Sequence, residues 1–202
     1  MRRMRVHARQ ATAILAVLVA AGFAACGSDG APSVPEIERL PETAEELPRL
    51  PRGYERYSSR VNGLVFGRPP GWKARPRGIA TLLTAPDKLV VMSLAADRSD
   101  DALAADPRNL AVETFAALEG YEGKLDPSEP RPLKHRYEGF QARGEGVAGS
   151  TGVPQRLRVI VLEREGATVV TAVIAENAKE KAPEEVEQAL EVVRTLRTRP
   201  VG

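Results

Sequence analysis

Few residues in this chain could do covalent or metal chemistry. Cys26 is the sole cysteine among 202 residues, so no disulfide framework can form. A serine or threonine nucleophile needs a base within hydrogen-bond reach, and beyond the basic start the one histidine is His135. It sits in Lys134-His135-Arg136, after Pro127, Pro130 and Pro132, and reads as the exposed beginning of a strand. A structural zinc site wants four Cys or His ligands, which this composition does not offer. Asp97-Arg98-Ser99-Asp100-Asp101 raises the question of calcium, but an EF-hand loop begun at Asp97 would need Gly and Glu where Ala102 and Arg108 stand. Helix capping accounts for those acids. The stretch from Gly144 to Gly152 lacks the Lys-Ser/Thr pair of a phosphate loop and has no helix after it. It reads as a flexible hairpin connection, and as the place that would move to admit a ligand. Paired carboxylates such as Glu113, Glu138 or Glu163 are the remaining route to catalysis, and they would have to converge in a cleft. The pattern predicts no catalytic, cofactor or metal site.

The first residues are more informative. Arg2, Arg3, Arg5 and Arg9 precede Ala11 to Ala25, a run of 15 residues without a charge. Spanning a hydrocarbon core takes roughly 20 helical residues, so the run is an export leader rather than a permanent span. It ends at Phe23-Ala24-Ala25-Cys26-Gly27, which resembles the lipobox of bacterial lipoproteins and departs from it at Phe23, where leucine is usual. The resemblance implies cleavage before Cys26, diacylglycerol on its sulfur, and a membrane anchor more durable than one acyl chain provides. Location at the cell membrane, with the remainder facing away from the cytoplasm, follows from it. Four of the 29 basic side chains lie in that leader, leaving 25 against 27 acidic ones, formally −2. Such a balance gives no basis for nucleic-acid binding.

The elements that must position any site follow in order. Residues 1–25 form the signal peptide and 26–56 a stalk, in which Pro32, Pro35, Pro41, Pro48 and Pro51 exclude a continuous helix. A short helix over Glu42 to Leu47 is the alternative there. Residues 57–202 form one domain of ordinary size. Strands are expected at Val61 to Phe66, Ile79 to Thr84 and Leu89 to Ala95, the last two joined by the tight turn Ala85 to Lys88. Asn109 to Leu118 carries a helical stripe of Leu110, Phe115 and Leu118. Strands are then expected at His135 to Arg143, Arg156 to Glu163 and Thr168 to Ala175. Pro183-Glu184-Glu185 opens a closing helix, with Val186, Leu190 and Val193 on one face. Hairpin-length connections favour antiparallel pairing, and an α+β fold follows: an antiparallel six-stranded sheet with helices packed on it.

That order, with the Pro70-Gly71-Trp72 turn after the first strand and Phe115 facing inward from its helix, is similar to the PsbP-like fold, including bacterial lipoproteins of the LpqN type. The resemblance implies an α/β/α sandwich whose members mostly bind other proteins and rarely catalyse. Trp72 reads as a core plug or an interaction anchor, and Tyr121, Tyr137 and Phe140 are the other candidate partner contacts. The function expected is a lipid-anchored binding or scaffolding module, not an enzyme, that docks a protein or cell-envelope partner. The alternative is a small-molecule or lipid carrier, which needs an apolar pocket between sheet and helix.

Overall fold

The computed structural model describes residues 49–118, 121–133, 139–149, 151–164 and 168–199. Two antiparallel sheets organise them. The larger is built around β10 (Thr168–Asn177), whose residues from Thr168 to Ala175 are all buried. On one side of it lies β9 (Val153–Arg164), paired over ten positions from Thr168↔Arg164 to Asn177↔Gln155. On the other lies β5 (Val90–Asp97). With β3 (Lys73–Arg77), β4 (Ala80–Thr84), β8 (Gly139–Ala148) and β6 (Tyr121–Leu125) the order is β3-β4-β5-β10-β9-β8-β6, and β7 (Arg131–Pro132) pairs with β8. The smaller sheet is β1 (Glu55–Ser58), β2 (Leu64–Arg68) and β11 (Arg197–Thr198), with β2 central.

Strand alternation sends side chains to two separate cores. Leu157, Val159 and Val161 of β9 join Val169, Val173 and Ala175 of β10 under α2 (Pro107–Ala116), which contributes Ala111 and Phe115. Ile160 and Leu162, with Val170, Ala172 and Ile174, face the opposite way. There they meet Ala189, Val192 and Val193 of α3 (Pro183–Thr195) and Leu64 and Phe66 of the small sheet. The molecule is thus layered, with α2 on one face of the large sheet and α3 plus the small sheet on the other. Each Å² of apolar surface withdrawn from water on either side stabilises the fold by about 25 cal/mol. α2 starts at Pro107, two residues before the expected Asn109, and α3 starts at the expected Pro183. Asp106 accepts from the amide of Arg108 to cap α2, and Pro183 supplies the pre-set first turn of α3. Ser99 caps α1 (Asp100–Ala104) by accepting from the Ala102 amide, and Asp100 and Asp101 lie in its first turn, where acids suit the helix dipole.

The expected α+β fold with antiparallel strands is present, with more strands than six. One expectation is corrected outright. Residues from Gly144 to Ala148 are not a loop but the second half of β8, and only residues 149–152 lie between it and β9. A Cβ on Gly144 would lie 2.2 Å from Phe115 Cζ, and one on Gly146 would lie 2.6 Å from Tyr121 Cζ. These glycines let two aromatic rings lie directly on the sheet, the close approach for which a strand interior uses glycine.

Candidate functional site

α3 covers the sheet through Ala189, Val192 and Val193, and its cover ends at Val186 in its first turn. Beyond Val186 the same face of β8, β9 and β10 turns from apolar to charged. Arg156 and Arg158 continue the alternation that puts Ile160 and Leu162 into the core. The result is a groove of about 530 Å³ lined by Lys124, Arg143, Arg156, Arg158, Glu145 and Glu176, together with Ile174 and Val186.

Its charges divide into paired and unpaired groups. Arg156 Nη2 donates to Glu176 Oε1 at 2.8 Å, and the same oxygen accepts the Ala182 amide at 3.3 Å, which ties this ion pair to the entrance of α3. Asp126 accepts from both the hydroxyl and the amide of Ser128, and these bonds hold its carboxyl below the usual carboxylate range. Glu129, whose side chain is 1% exposed, lies 3.8 Å from Arg143 Nε and 3.7 Å from Arg131 Nε. Its Oε1 makes no hydrogen bond among the described residues.

Arg158 is different. It is half-buried, and among the described residues it has neither a hydrogen bond nor an ion pair within 4.0 Å. Its direct opposite in the β8–β9 ladder is Arg143. Like charges at such a pair, about 5 Å apart at Cβ, repel. Burial, and after it Arg143, push the Arg158 guanidinium below its ordinary value, against the pull of Glu176, Glu187 and Glu129. The groove therefore presents two arginines from opposed register positions, Arg143 beside Glu129 and Arg158 unpaired among the described residues, with Lys124 also in its lining.

The residues singled out from sequence are distributed elsewhere. Trp72 is 2% exposed and plugs the core on the α3 side, with its Nε1 donating to Gln188 Oε1 at 2.7 Å. Of its two readings, plug and anchor, the structure has the plug. Tyr121 and Phe140 are half-buried at the rim of the α2 core. The Tyr121 ring stands edge-on to Phe115 with centroids 6.0 Å apart. Cys26, His135, Tyr137 and Glu138 lie outside the described residues, as do the side chain of Glu163 and the stalk helix alternative at 42–47. Glu113 is exposed on α2. The space between sheet and α3, where a carrier would need its apolar pocket, is occupied by Ala189, Val192, Val193 and Leu196. Among the described residues no group of three His, Cys, Asp or Glu side chains is arranged to hold a metal, and no helix is long and apolar enough to cross a membrane.

The basic groove escaped the sequence reading. Arg156 and Arg158 enter it only as part of the strand expected at Arg156 to Glu163. A signal was available, because the α3-facing positions of β9 change from Ile and Leu to Arg along one strand.

No protein-family model and no curated protein matches the sequence. Solved structures do match in shape. Cyanobacterial PsbP from Synechocystis superposes with a TM-score of 0.51 at 13% identity, covering 73% of this chain and 93% of that one. The Ran-binding protein Mog1p of Saccharomyces cerevisiae gives 0.46 at 13% identity, over 73% and 96%. LpqN of Mycobacterium tuberculosis, a protein involved in cell envelope biogenesis, gives 0.46 at 12%, over 73% and 91%. The first of these fixes the fold as PsbP-like.

Proposed function

We propose that this PsbP-like chain is a lipid-anchored, extracytoplasmic binding or scaffolding module without catalytic activity, which docks a protein or cell-envelope partner through the groove at the end of α3. The observation that carries the reading is the half-buried Arg158, unpaired among the described residues and opposite Arg143 in the register of that groove. A half-buried arginine with no acceptor among the described residues keeps its donors free for a complementary group. The anchor rests on the uncharged leader ending at Cys26, and the Pro-rich residues after it provide reach, about 30 Å for a coil-like segment of that length.

Two measurements test the two halves. Mass spectrometry of the protein purified from native membranes should show a chain beginning at a diacylglyceryl-modified Cys26; an intact Met1 or an unmodified sulfur refutes the anchor. A photo-crosslinking residue at position 145, in the groove, should yield a discrete adduct in intact cells. The same group at position 113, on exposed α2, should not. Equal adducts from both positions refute the groove as the docking surface.

A further inference from the structure

We infer that the groove binds a phosphate-bearing group between the guanidiniums of Arg143 and Arg158, with Lys124 supplying a third positive charge. This deepens the binding-module reading by naming the ligand class, and it rests on that reading for the choice of surface. The argument begins with the ladder: Arg143 and Arg158 are register partners, so their side chains leave the same face of adjacent strands. Lys124 is brought to that face by the β6–β8 pairing, opposite Glu145. All three line one concavity.

The acids around them do not neutralise Arg158. Glu176 is engaged by Arg156 and by the Ala182 amide. Asp126 is engaged by Ser128. Glu129 is shared at 3.7 and 3.8 Å between Arg131 and Arg143. Glu145 is exposed, with Lys124 and Arg156 as its two register partners. Glu187 is bonded to Arg194 at 2.6 Å. What remains is a planar five-donor fork with no acceptor among the described residues.

The geometry distinguishes among anions. A carboxylate has two oxygens and one charge, enough to meet one guanidinium fork. A phosphate has further oxygens and up to two charges, so it can accept from both facing forks and screen the repulsion between them. A group placed there relieves a repulsion that folding leaves in place, so binding and stability are linked.

The test uses the intact chain in an uncharged detergent, titrated by calorimetry with inorganic phosphate, with acetate, and with a short-chain phosphatidic acid, a phosphomonoester. Saturable phosphate binding is expected, with acetate weaker by roughly tenfold or more. Arg158→Gln and Arg143→Gln should each weaken phosphate binding by roughly tenfold or more. Arg158→Lys, which keeps the charge and loses the fork, should fall between them and the parent chain. Without phosphate, Arg158→Gln should melt at the same temperature as the parent or higher, which shows that lost binding is not lost folding. Tighter binding of the phosphatidic acid than of phosphate assigns the group to a lipid headgroup; equal or weaker binding assigns it to a soluble ligand. Absence of saturable phosphate binding, acetate binding equal to phosphate, or phosphate binding unchanged in Arg158→Gln overturns the inference. If phosphate fails while the position-145 adduct still forms, the docking surface stands and only its ligand class is wrong.

Discussion

Trp72 donates its indole N–H to Gln188 Oε1 at 2.7 Å, across 116 residues of sequence. The turn Pro69 to Trp72, in which Gly71 takes a φ of +76°, delivers the ring into the core, and the second turn of α3 supplies the acceptor. An early turn and the closing helix are thereby joined by one bond inside an apolar cluster. Gln188→Ala should destabilise the domain by about 1–3 kcal/mol, because a buried donor loses its partner. Trp72→Ala should cost about 3–5 kcal/mol through the cavity it leaves. Urea unfolding of both variants, followed by far-UV circular dichroism, measures this.

Gly144→Ala should destabilise the fold by about 1–3 kcal/mol, the usual effect of overpacking. The added methyl would meet Phe115 Cζ at 2.2 Å and the backbone oxygen of Lys124 at 2.4 Å. Shortening the ring with Phe115→Leu relieves only the first clash. The double variant should therefore remain below Phe115→Leu alone in thermal melting, and full recovery would contradict the contact with β6.

Tyr121 gives a pH signature. Its hydroxyl is buried without a hydrogen bond among the described residues, and burial, with Glu145 second, pushes its pKa up to about 12. The ordinary tyrosine value is 10.0. The folded state thus holds this proton over a range in which the unfolded chain releases it, so stability is full below pH 10.0 and falls as pH rises toward about 12. Tyr121→Phe should lose that part of the alkaline decline and, at neutral pH, match or exceed the parent by about 1 kcal/mol. Phenolate absorbance and urea unfolding as functions of pH read both effects.

Glu176→Ala should destabilise by about 1–2 kcal/mol, discounted because the pair is partly exposed. The carboxylate receives Arg156 and the amide that precedes α3, so the loss should be local. Hydrogen exchange is expected to rise most at the start of α3, and little at α2.

The elements that the sequence made readable are those whose side chains are sorted by burial. β4, β5, β9 and β10 carry the apolar alternation or the continuous apolar run of interior strands, α2 carries a capping Asp106, and α3 carries a proline at its first turn and an apolar stripe. Those it hid are the edges. β3 reads Lys-Ala-Arg-Pro-Arg and β6 reads Tyr-Glu-Gly-Lys-Leu, the charges, proline and glycine that blunt a sheet edge and erase its hydrophobic period. The two-residue strands β7 and β11 have too few positions for any period. The groove was hidden for a different reason. Its arginines are separated by the β8–β9 turn and acquire meaning only through the register Arg143↔Arg158. Trp72 as a plug was legible, because a lone large ring after a Pro-Gly turn beside a core strand has an obvious cavity to fill.

β1 and β11 both flank β2 antiparallel to it, so they run parallel to each other, and the chain comes in beside Arg68 and goes out beside Leu64. Tension between the two ends of the domain is then directed along the strands, and the cross-strand bonds share the load at once instead of breaking one by one like a zipper. The grip is uneven, with four register pairs at Glu55–Ser58 and two at Arg197–Thr198. A tug on the tail should free β11 first, while the large sheet, outside the path of the force, keeps its shape.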